Sequence, residues 1–392
     1  MNAVPRIAHL DADAFFVAVE QAIDPSLRGK KVAVGGRTRG IISSASYEAR
    51  ACGVYTPMPS SRALAVCPDL ILVPHRSGAY GKVSHQLFDL CETLTPVVER
   101  RSIDEGYLDL TPCAHKTPEI ATAAVKALQR RIWDELAISV SFGLASNKLV
   151  AGIASKLNKP RGFTVVEPGG EAAFLAALKI GRLPGVGTKT EAEFNKRGIR
   201  LVSDLLALSD DELAALLGRG WRETVASARG IDDSPVETSE TDAKSYSTQE
   251  TFGEDIADRD RIERELKRMI DELIPKIRAD GKRARTMTVK VRYPGMEDSS
   301  AAHSIAEASD LETDFYPQVA PLMRAAWKLR RPLRLVSVKF SGIEYPNGQL
   351  HMFAADEDRR HKLAAALDSL REKKGAGVVL RGHQLQRPPP PR

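Results

Sequence analysis

The chain has 392 residues, of which 43% are hydrophobic and 28% are charged, a composition typical of a soluble globular protein. The length excludes a single small core and predicts about two to four compact units. A formal net charge of +6 and an isoelectric point near 9.0 favour a polyanionic partner, either nucleic acid or an anionic membrane surface.

The N-terminus and the cysteines indicate the compartment. The first residues lead into a strand-like run without an apolar signal core, and no stretch approaches about 18 uninterrupted apolar residues, which predicts a cytoplasmic protein with no membrane span. The cysteines have no CxxC pairing and no regular spacing; they are Cys52, Cys67, Cys91 and Cys113. We therefore expect reduced, structural thiols and neither a zinc site nor a disulfide framework.

The first acidic residues follow a short apolar run. Residues 7–16 read IAHLDADAFF, and the two-residue period of a strand puts His9, Asp11 and Asp13 on one face. A helix is expected to begin near Phe15, and Asp13 is interpreted as its cap. Asp11 is then the acid of this segment that remains available for a functional site.

A second acidic stretch lies at residues 102–109, SIDEGYLD. Asp104 and Glu105 are adjacent, and ionised carboxylates in a strand buried by its apolar neighbours stay charged only where a cation offsets their desolvation. Together with Asp11 they would suffice for two divalent metals about 3.5–4 Å apart. The alternative is a solvated turn, because Asp-Glu-Gly is an ordinary turn sequence.

Taken together, the two segments resemble the signature motifs of an enzyme family. Residues 10–20, LDADAFFVAVE, and residues 102–109 are similar to the motifs of the Y-family translesion DNA polymerases, above all the bacterial DNA polymerase IV group. The resemblance extends from about Arg6 to about Tyr345. It implies an α+β multidomain fold, a right hand with palm, fingers, helical thumb and a β-α-β-β-α-β little finger. The expected bounds are palm 1–17 and 78–166, fingers 18–77, thumb 167–232, linker 233–244, little finger 245–345 and a C-terminal tail 346–392.

The resemblance also implies a reaction, the attack of a primer 3′-hydroxyl on the α-phosphorus of a deoxynucleoside triphosphate. Two Mg²⁺ ions are implied, one held by Asp11, Asp104 and Glu105, the other by Asp11, Asp104, the carbonyl of Ala12 and the triphosphate. Low fidelity without proofreading follows from the resemblance. The implied partners are primer–template DNA, deoxynucleoside triphosphates and a replication sliding clamp, bound by a monomer.

Contacts to the incoming nucleotide are implied for Phe15, Phe16, Tyr47, Arg50 and Lys159. Tyr47 and Arg50 lie three residues apart, so a helix would put both on one face, where they can bind the β and γ phosphates. An ordinary solvated arginine is the alternative. Lys159 precedes a proline in a segment similar to the one whose lysine reaches the triphosphate in the family.

The resemblance also bears on the roles of Phe16, Lys148 and Ser46. Phe16 is implied to be a steric gate, because an aromatic ring against C2′ of the sugar leaves no room for a 2′-hydroxyl. In the alternative, Phe15 and Phe16 are both core residues, and Phe15 is expected to be one. Lys148 is a weaker candidate for the triphosphate. Ser46 departs from the asparagine usual in the family, which leaves the implied phosphate contacts intact and the neighbouring hydrogen bonds open.

Two helical features follow in the chain. Residues 117–136 predict an amphipathic helix that covers the palm sheet, with an apolar face of Ile120, Ala124, Leu128, Ile132 and Trp133. Residues 183–190, LPGVGTKT, are typical of a helix-hairpin-helix turn, in which Gly185, Val186 and Gly187 expose amides to a DNA phosphate. A helical packing joint is the alternative to this DNA contact, since glycine also ends helices for local reasons.

Beyond residue 230 the polar composition predicts a linker. Next come a strand at 245–252, a helix at 259–278, strands at 285–293 and 299–305, a helix at 311–329 and a strand at 333–340, which predicts an antiparallel sheet backed by two helices. Basic residues at this sheet are interpreted as phosphate contacts that do not read sequence. They are Lys290, Arg292, Arg330, Arg331 and Arg334. The alternative is a role in solubility, because the acidic helices nearly balance this charge.

Residues 349–353, QLHMF, resemble the clamp-binding pentapeptide of bacterial polymerases. Gln349 would be the hydrogen-bonded anchor, while Leu350, Met352 and Phe353 would enter an apolar pocket. A chance match is the alternative for so short a motif. The chain continues with a helix at 359–373 and a proline-rich end that is expected to be extended or disordered.

Two other functions remain open. A non-catalytic polymerase relative could act as a scaffold in a damage-tolerance complex, but such relatives lose metal carboxylates, whereas Asp11, Asp104 and Glu105 are all present. A nucleotide cyclase can share a palm-like sheet and a two-metal site. The helix-hairpin-helix turn and the basic final domain favour DNA as the substrate.

Overall fold

The structure is a computed structural model and describes residues 6–37, 39–111, 118–239, 242–346, 355–375 and 377–385. The chain divides into two units, Met1–Glu240 and Thr241–Arg392, each with its own hydrophobic core. Cys113 and the clamp-binding candidates Gln349, Leu350, Met352 and Phe353 lie outside the described residues.

The first unit begins with a mixture of strands and helices and ends with five helices. Its elements are β1 Ile7–Ala12, α1 Phe15–Ile23, β2 Val32–Gly35, β3 Ile42–Ala45, α2 Tyr47–Ala51, α3 Ser60–Val66, β4 Ile71–Val73, α4 Ala79–Glu92, β5 Val98–Arg100, β6 Glu105–Asp109, α5 Pro118–Leu136, β7 Val140–Ala145, α6 Lys148–Ala154, β8 Phe163–Val165, α7 Glu171–Ala176, α8 Thr188–Lys196, α9 Val202–Leu206, α10 Asp210–Leu217 and α11 Trp221–Ala228.

A five-stranded sheet carries the first acidic segment. Its order is β5-β6-β1-β7-β8, and β1 is antiparallel to both of its neighbours. Ala8 and Leu10 point into a core with α4 and α5, while Ile7 belongs to a second core with α6. The alternation therefore puts His9 and Asp11 on the α6 side, as the two-residue period of a strand predicts.

The predicted buried face of α5 is partly wrong. Leu128 and Ile132 are buried, but Ile120 is 49% and Trp133 37% exposed. The buried positions before Leu128 are Ala121 and Val125, so the helix turns smaller side chains toward the sheet than the apolar pattern suggested.

A separate three-stranded sheet lies between α1 and α4 in the chain. Its order is β3-β2-β4, with β2 antiparallel to β3 and parallel to β4. Together with α2 and α3 it encloses a small core that includes Ala33, Ile42, Ala49 and Cys67. This sheet therefore fixes α2, the short helix that carries Tyr47 and Arg50.

Helices α7 to α11 share a core with α6. The chain that follows them is hydrogen bonded to α6 and β5. Leu149 N on α6 donates to Asp232 Oδ2 at 2.8 Å, and Glu237 N donates to Glu99 Oε2 on β5 at 3.0 Å. The first part of the predicted linker is thus hydrogen bonded within the first unit.

The second unit has the predicted strand and helix order. Its elements are β9 Ser245–Ile256, α12 Arg259–Ala279, β10 Arg283–Arg292, β11 Asp298–Ser309, α13 Glu312–Ala326, β12 Leu333–Glu344 and α14 Ala355–Lys374. The strands form one antiparallel sheet in the order β11-β10-β12-β9. Val289 and Val291 pack against the two long helices, which leaves Lys290 and Arg292 on the open face. In the described part of the chain, no helix is long and apolar enough to cross a bilayer.

The segment after β12 is joined to α12 and α13 by buried charges. The carboxylates of Asp271 and Glu312 are only 5% and 3% exposed. Asp271 Oδ2 lies 2.7 Å from His383 Nε2, and Glu312 accepts from Arg278 and Arg381, both at 3.0 Å. The described parts of the predicted tail, residues 355–375 and 377–385, therefore contact the rest of their unit, which local sequence pattern did not predict.

We expect Arg278→Ala to lower the free energy of unfolding of the second unit by about 3 kcal/mol, because it leaves the buried Glu312 carboxylate with one cation fewer. Arg278 Nε also donates to Asp368 at 2.7 Å. The control is Arg268→Ala on the same helix, whose exposed pair with Glu265 contributes at most about 1 kcal/mol. Hydrogen exchange of the α12 amides would measure the loss of unfolding free energy in each variant. Equal losses in the two variants would contradict the structural role of Arg278.

Candidate active site

The acids of the two sequence motifs lie at adjoining ends of β1 and β6. Asp11 is directly opposite Glu105 in the antiparallel pair. Ala12 N donates to the carbonyl oxygen of Asp104 at 2.9 Å. Strand pairing therefore brings Asp11, Ala12, Asp104 and Glu105 side by side, although two separate segments supply them.

Two lysines that follow α6 pair with these acids. Lys159 Nζ donates to Asp11 Oδ1 and lies 3.4 Å from the carbonyl oxygen of Ala12. Lys156 Nζ lies 3.0 Å from Glu105 Oε2. The ammonium groups supply positive charge that adjacent carboxylates need when they are partly withdrawn from water.

The oxygens around Lys159 Nζ match the donors that hard divalent cations prefer. Asp11 offers a carboxylate and Ala12 a backbone carbonyl, and the ammonium stands in for a cation between them. Within the described ranges, no group of three or more His, Cys, Asp or Glu side chains is arranged so that it could hold a metal ion. Carboxylates repel one another until a cation binds between them. The donor set therefore fits a metal ion at Asp11 that would attract the side chains of Asp104 and Glu105 toward it.

Burial shifts the pKa values of the two titratable side chains on this face of β1, Asp11 and His9. It raises the pKa of the Asp11 carboxyl, against the opposing effect of the Lys159 ammonium. Burial, followed by Lys156, lowers the pKa of His9 to about 3, so its imidazole is neutral. His9 Nδ1 lies 2.8 Å from Ser155 Oγ, and Nε2 lies 3.9 Å from Glu105 Oε2. His9 thus adds no positive charge that would compete with a metal.

A tight turn presents Asp104. Ser102 Oγ donates to Asp104 Oδ1 at 2.6 Å and accepts from Glu105 N at 3.1 Å. Arg101 N and Ser102 N both donate to the carbonyl oxygen of Glu105, at 3.0 and 3.1 Å. The turn is therefore closed by its own backbone, and Asp104 projects from it half-exposed.

The interpretation of Asp13 as a helix cap is wrong. The residue before α1 is Ala14, with no side-chain cap, and Asp13 is 2% exposed. Its carboxylate accepts from Ser141 Oγ and from Arg161 N, both at 2.8 Å. Asp13 thus fastens the loop that carries Lys159 to the end of β7.

Helix α2 is held by Ser46, its N-terminal cap. Ser46 Oγ accepts from Ala49 N at 3.2 Å and from Val32 N at 3.1 Å, and donates to the carbonyl oxygen of Lys30 at 3.0 Å. The serine that departs from the family's asparagine is therefore fully engaged with backbone groups.

Tyr47 and Arg50 share one side of α2. The Arg50 guanidinium carbon lies 4.9 Å from the centre of the Tyr47 ring, and Arg50 Nε donates to the carbonyl oxygen of Ala45 at 3.0 Å. Tyr47 OH lies 3.5 Å from Asp13 Oδ1. Burial raises the pKa of Tyr47, so its hydroxyl remains protonated and can donate.

Phe16 is half-buried, whereas Phe15 is buried in the core as expected. The Phe16 ring centre lies 4.5 Å from that of Tyr80 and 5.5 Å from that of His75. Tyr80 OH donates to Glu20 Oε1 at 2.8 Å. One side of the Phe16 ring is thus fixed by an anchored aromatic neighbour, a support that local sequence pattern gave no means of finding.

The predicted hairpin turn precedes α8. A short 3₁₀ helix, Ile180–Arg182, comes first, Gly185 has a φ of 86°, and Gly187 starts α8 without a side-chain cap. That positive φ favours glycine, because a side chain would be strained there. The uncapped first-turn amides of α8 are available to an anion.

A cleft of about 960 Å³ lies between this turn and α6. Its lining includes Arg101, Lys156, Gly185 and Gly187, so cations and backbone amides face the same space. Lys148 also lines it, but its ammonium lies 2.6 Å from Glu99 Oε2 and 2.9 Å from the carbonyl oxygen of Pro235. The weaker prediction that Lys148 reaches the triphosphate therefore has no support in its contacts.

The five basic candidates of the second unit differ in their partners. Arg292 forms two hydrogen bonds to Asp298, at 2.6 and 2.8 Å, and Arg331 donates to Glu297 at 2.7 Å. Lys290 Nζ lies 3.9 Å from Asp298. The others are Arg330, which is exposed, and Arg334, which is half-buried.

Comparison with known proteins identifies the family. Residues 10–156 match the model described as the impB/mucB/samB family, and residues 243–352 match that of its C-terminal domain. A DNA polymerase IV of Opitutus terrae is 63% identical over 99% of this chain and 100% of its own length. The chain belongs to the Y family of DNA polymerases. It is a DNA-directed DNA polymerase of the translesion type.

Other relatives agree with this assignment. The polymerase is 38% identical to a DNA polymerase IV of Methanoculleus marisnigri over 86% of this chain and 94% of that protein. Its fold matches a Y-family polymerase chimera of Dbh and Dpo4 with a TM-score of 0.79 and 27% identity, over 87% of this chain and all of the chimera. An insertion ternary complex of Dbh gives a TM-score of 0.62 at 26% identity.

We expect Ser141→Ala in the polymerase to loosen the Lys159 loop. Ser141 Oγ accepts from Gly162 N at 2.9 Å as well as donating to Asp13, so the substitution leaves two buried groups short of a partner, at a cost of about 1–3 kcal/mol each. Hydrogen exchange at residues 161–162 should accelerate.

Ser139→Ala is the matched control, because the carbonyl of Ser139, not its side chain, accepts from Asp13 N at 2.9 Å. If both variants exchange at the same rate as the wild type, Ser141 does not hold the loop.

Proposed function

We propose that Asp11, Asp104 and Glu105, with the carbonyl of Ala12, hold two Mg²⁺ ions for nucleotidyl transfer. The observation that supports this most directly is the Lys159 ammonium between Asp11 Oδ1 and the Ala12 carbonyl oxygen. When bound, the ions would lower the pKa of the primer 3′-hydroxyl and neutralise the leaving pyrophosphate. The oxygen-only donor set favours Mg²⁺ over softer metals.

Lys159 then changes partner in this mechanism. With a metal held by Asp11, the Lys159 ammonium would leave that carboxylate and could pair with the neighbouring triphosphate. Tyr47 donates its neutral hydroxyl to the β and γ phosphates, and Arg50 supplies a guanidinium fork. The contact of Tyr47 OH with Asp13, 3.5 Å long, keeps α2 near the loop that delivers Lys159.

Phe16 selects the sugar in this proposal, with Phe15 behind it in the core. The Phe16 ring cannot retreat freely because it packs on Tyr80, whose hydroxyl is anchored on Glu20. A rigid ring against C2′ excludes a 2′-hydroxyl by overlap, so deoxyribonucleotides are preferred.

DNA contacts are proposed on both units. Amides at Gly185, Val186 and Gly187 would bind a backbone phosphate in the first unit. In the second, Lys290 and Arg330 are freer to bind phosphates than Arg292 and Arg331, which already pair with acids. Arg334 completes the proposed set. Such contacts hold DNA without reading its sequence.

The remaining assignments are proposals on the same basis. The domain bounds are palm 1–17 and 78–166, fingers 18–77, thumb 167–232, linker 233–244, little finger 245–345 and a C-terminal segment 346–392. We propose that residues 349–353 bind a sliding clamp, and that the polymerase is a cytoplasmic monomer. The non-catalytic scaffold is not favoured, because all three carboxylates persist at one strand end.

We expect Asp104→Ala to reduce nucleotide incorporation at least a thousandfold with primer–template affinity nearly unchanged, because it removes a ligand from both metals. Single-turnover primer extension and a binding titration measure the two effects. Asp89→Ala, on the exposed side of α4, is the control and should behave as the wild type. Activity retained by Asp104→Ala at ordinary magnesium concentrations would refute the assignment.

We expect Phe16→Ala to raise the use of ribonucleotides at least tenfold relative to deoxyribonucleotides, because the space beside C2′ opens. Tyr80→Phe keeps the ring beside Phe16 and removes only the hydroxyl that anchors it on Glu20, so it should raise ribonucleotide use less than Phe16→Ala does. The measured quantity is the ratio of kcat/KM for matched ribo- and deoxyribonucleotides. An unchanged ratio in Phe16→Ala would remove the gate from the proposal.

A further inference from the structure

Two free thiols lie at the ends of neighbouring helices in the small three-stranded part of the first unit. Cys52 follows α2 and is half-buried, and Cys67 follows α3 and is 1% exposed. Cys52 packs against the apolar cluster that contains Cys67, and the two thiols interact with each other. A Cβ added to Gly53 would lie 3.3 Å from Val66 Cγ1, so the two chain segments touch.

An ion pair flanks the thiols. Lys31 Nζ lies 2.8 Å from Asp69 Oδ2 and also interacts with the Cys52 side chain. Cys67 Sγ donates to Asp69 Oδ1 at 3.5 Å. Burial raises the pKa of Cys67 to about 11, so it stays a protonated thiol. A half-buried cysteine near an ammonium, with a buried second thiol beside it, is the arrangement of an attacking and a resolving cysteine.

We propose that Cys52 and Cys67 form a reversible disulfide when the polymerase meets hydrogen peroxide. The Cys52 thiol gives up its proton, its thiolate attacks one peroxide oxygen, the O–O bond breaks, and the products are a sulfenic acid and a hydroxide ion that takes up that proton to become water. The Cys67 thiol then attacks the Cys52 sulfur, the S–S bond forms, the S–O bond breaks, and a second water leaves. The two sulfurs supply the two electrons that reduce the peroxide, and a dithiol reductant restores both thiols.

The disulfide would act on nucleotide binding through α2. This five-residue helix ends directly before Cys52 and carries Tyr47 and Arg50. A sulfur–sulfur bond of about 2.05 Å is shorter than the contact between two thiols, so the bond draws the end of α2 toward α3. This consequence rests on the triphosphate role proposed for Tyr47 and Arg50. We expect the KM for deoxynucleoside triphosphates to rise about threefold or more.

The test is mass-spectrometric mapping of the full chain after peroxide treatment, with the KM for one nucleotide measured before oxidation, after it and after dithiothreitol. Wild type and Cys91→Ser should both give a linked Cys52–Cys67 peptide and a raised KM that dithiothreitol reverses. Cys91 is a buried thiol on α4 and serves as the matched control. Cys52→Ser should give neither the link nor the change in KM.

Over-oxidation of Cys52 without a link, or its pairing with another cysteine, would overturn the proposal, and so would a linked protein with unchanged KM. Mapping does not depend on catalysis. The reduced Tyr47→Phe variant tests the triphosphate role separately, so failure of that role can be told apart from failure of the disulfide.

Discussion

The pairing of β1 with β6 is the constraint on which the whole site depends, because it joins acids that two distant segments supply. Asp11 lies opposite Glu105, and the bond from Ala12 N fixes Asp104 beside them. A shift of one residue would turn Asp11 to the opposite face of the sheet. That face is filled by the core around Leu10, so burying a carboxylate there would be strongly unfavourable.

Charge balance explains the arrangement around these acids. Lys159 and Lys156 pair with Asp11 and Glu105, which lets carboxylates stay partly buried before a metal arrives. Asp13 and Ser141 hold the Lys159 loop to the end of β7, so the lysine is delivered from a fixed position. In the proposed mechanism the same lysine moves from carboxylate to phosphate, so its ammonium no longer competes with a metal for Asp11.

The sequence predicted what depends on local pattern. The two-residue period on β1 and the strand and helix order of the second unit are confirmed, because both follow from the alternation of apolar side chains. Phe15 is a core residue as expected. The polymerase class was predicted from two short motifs, and the comparisons confirm it.

What the sequence missed depends on contacts between distant residues. Asp13 resembles a cap, yet its partners are on β7 and in the Lys159 loop. The C-terminal segment looked like a tail, but His383 and Arg381 meet acids more than sixty residues earlier in the chain. On α5, Trp133 is apolar in sequence, but its outward face stacks with the Arg161 guanidinium at 3.8 Å. The periodicity of apolar residues in a sequence does not indicate which distant residues contact each other.

The measurement that tests the central claim most directly is anomalous diffraction from crystals grown with Mn²⁺, primer–template DNA and a non-hydrolysable deoxynucleoside triphosphate. The account predicts two metal peaks about 3.5–4 Å apart, one of them on Asp11 and the Ala12 carbonyl, with Lys159 on the triphosphate. Lys159 still paired with Asp11, and the metals bound elsewhere, would contradict it.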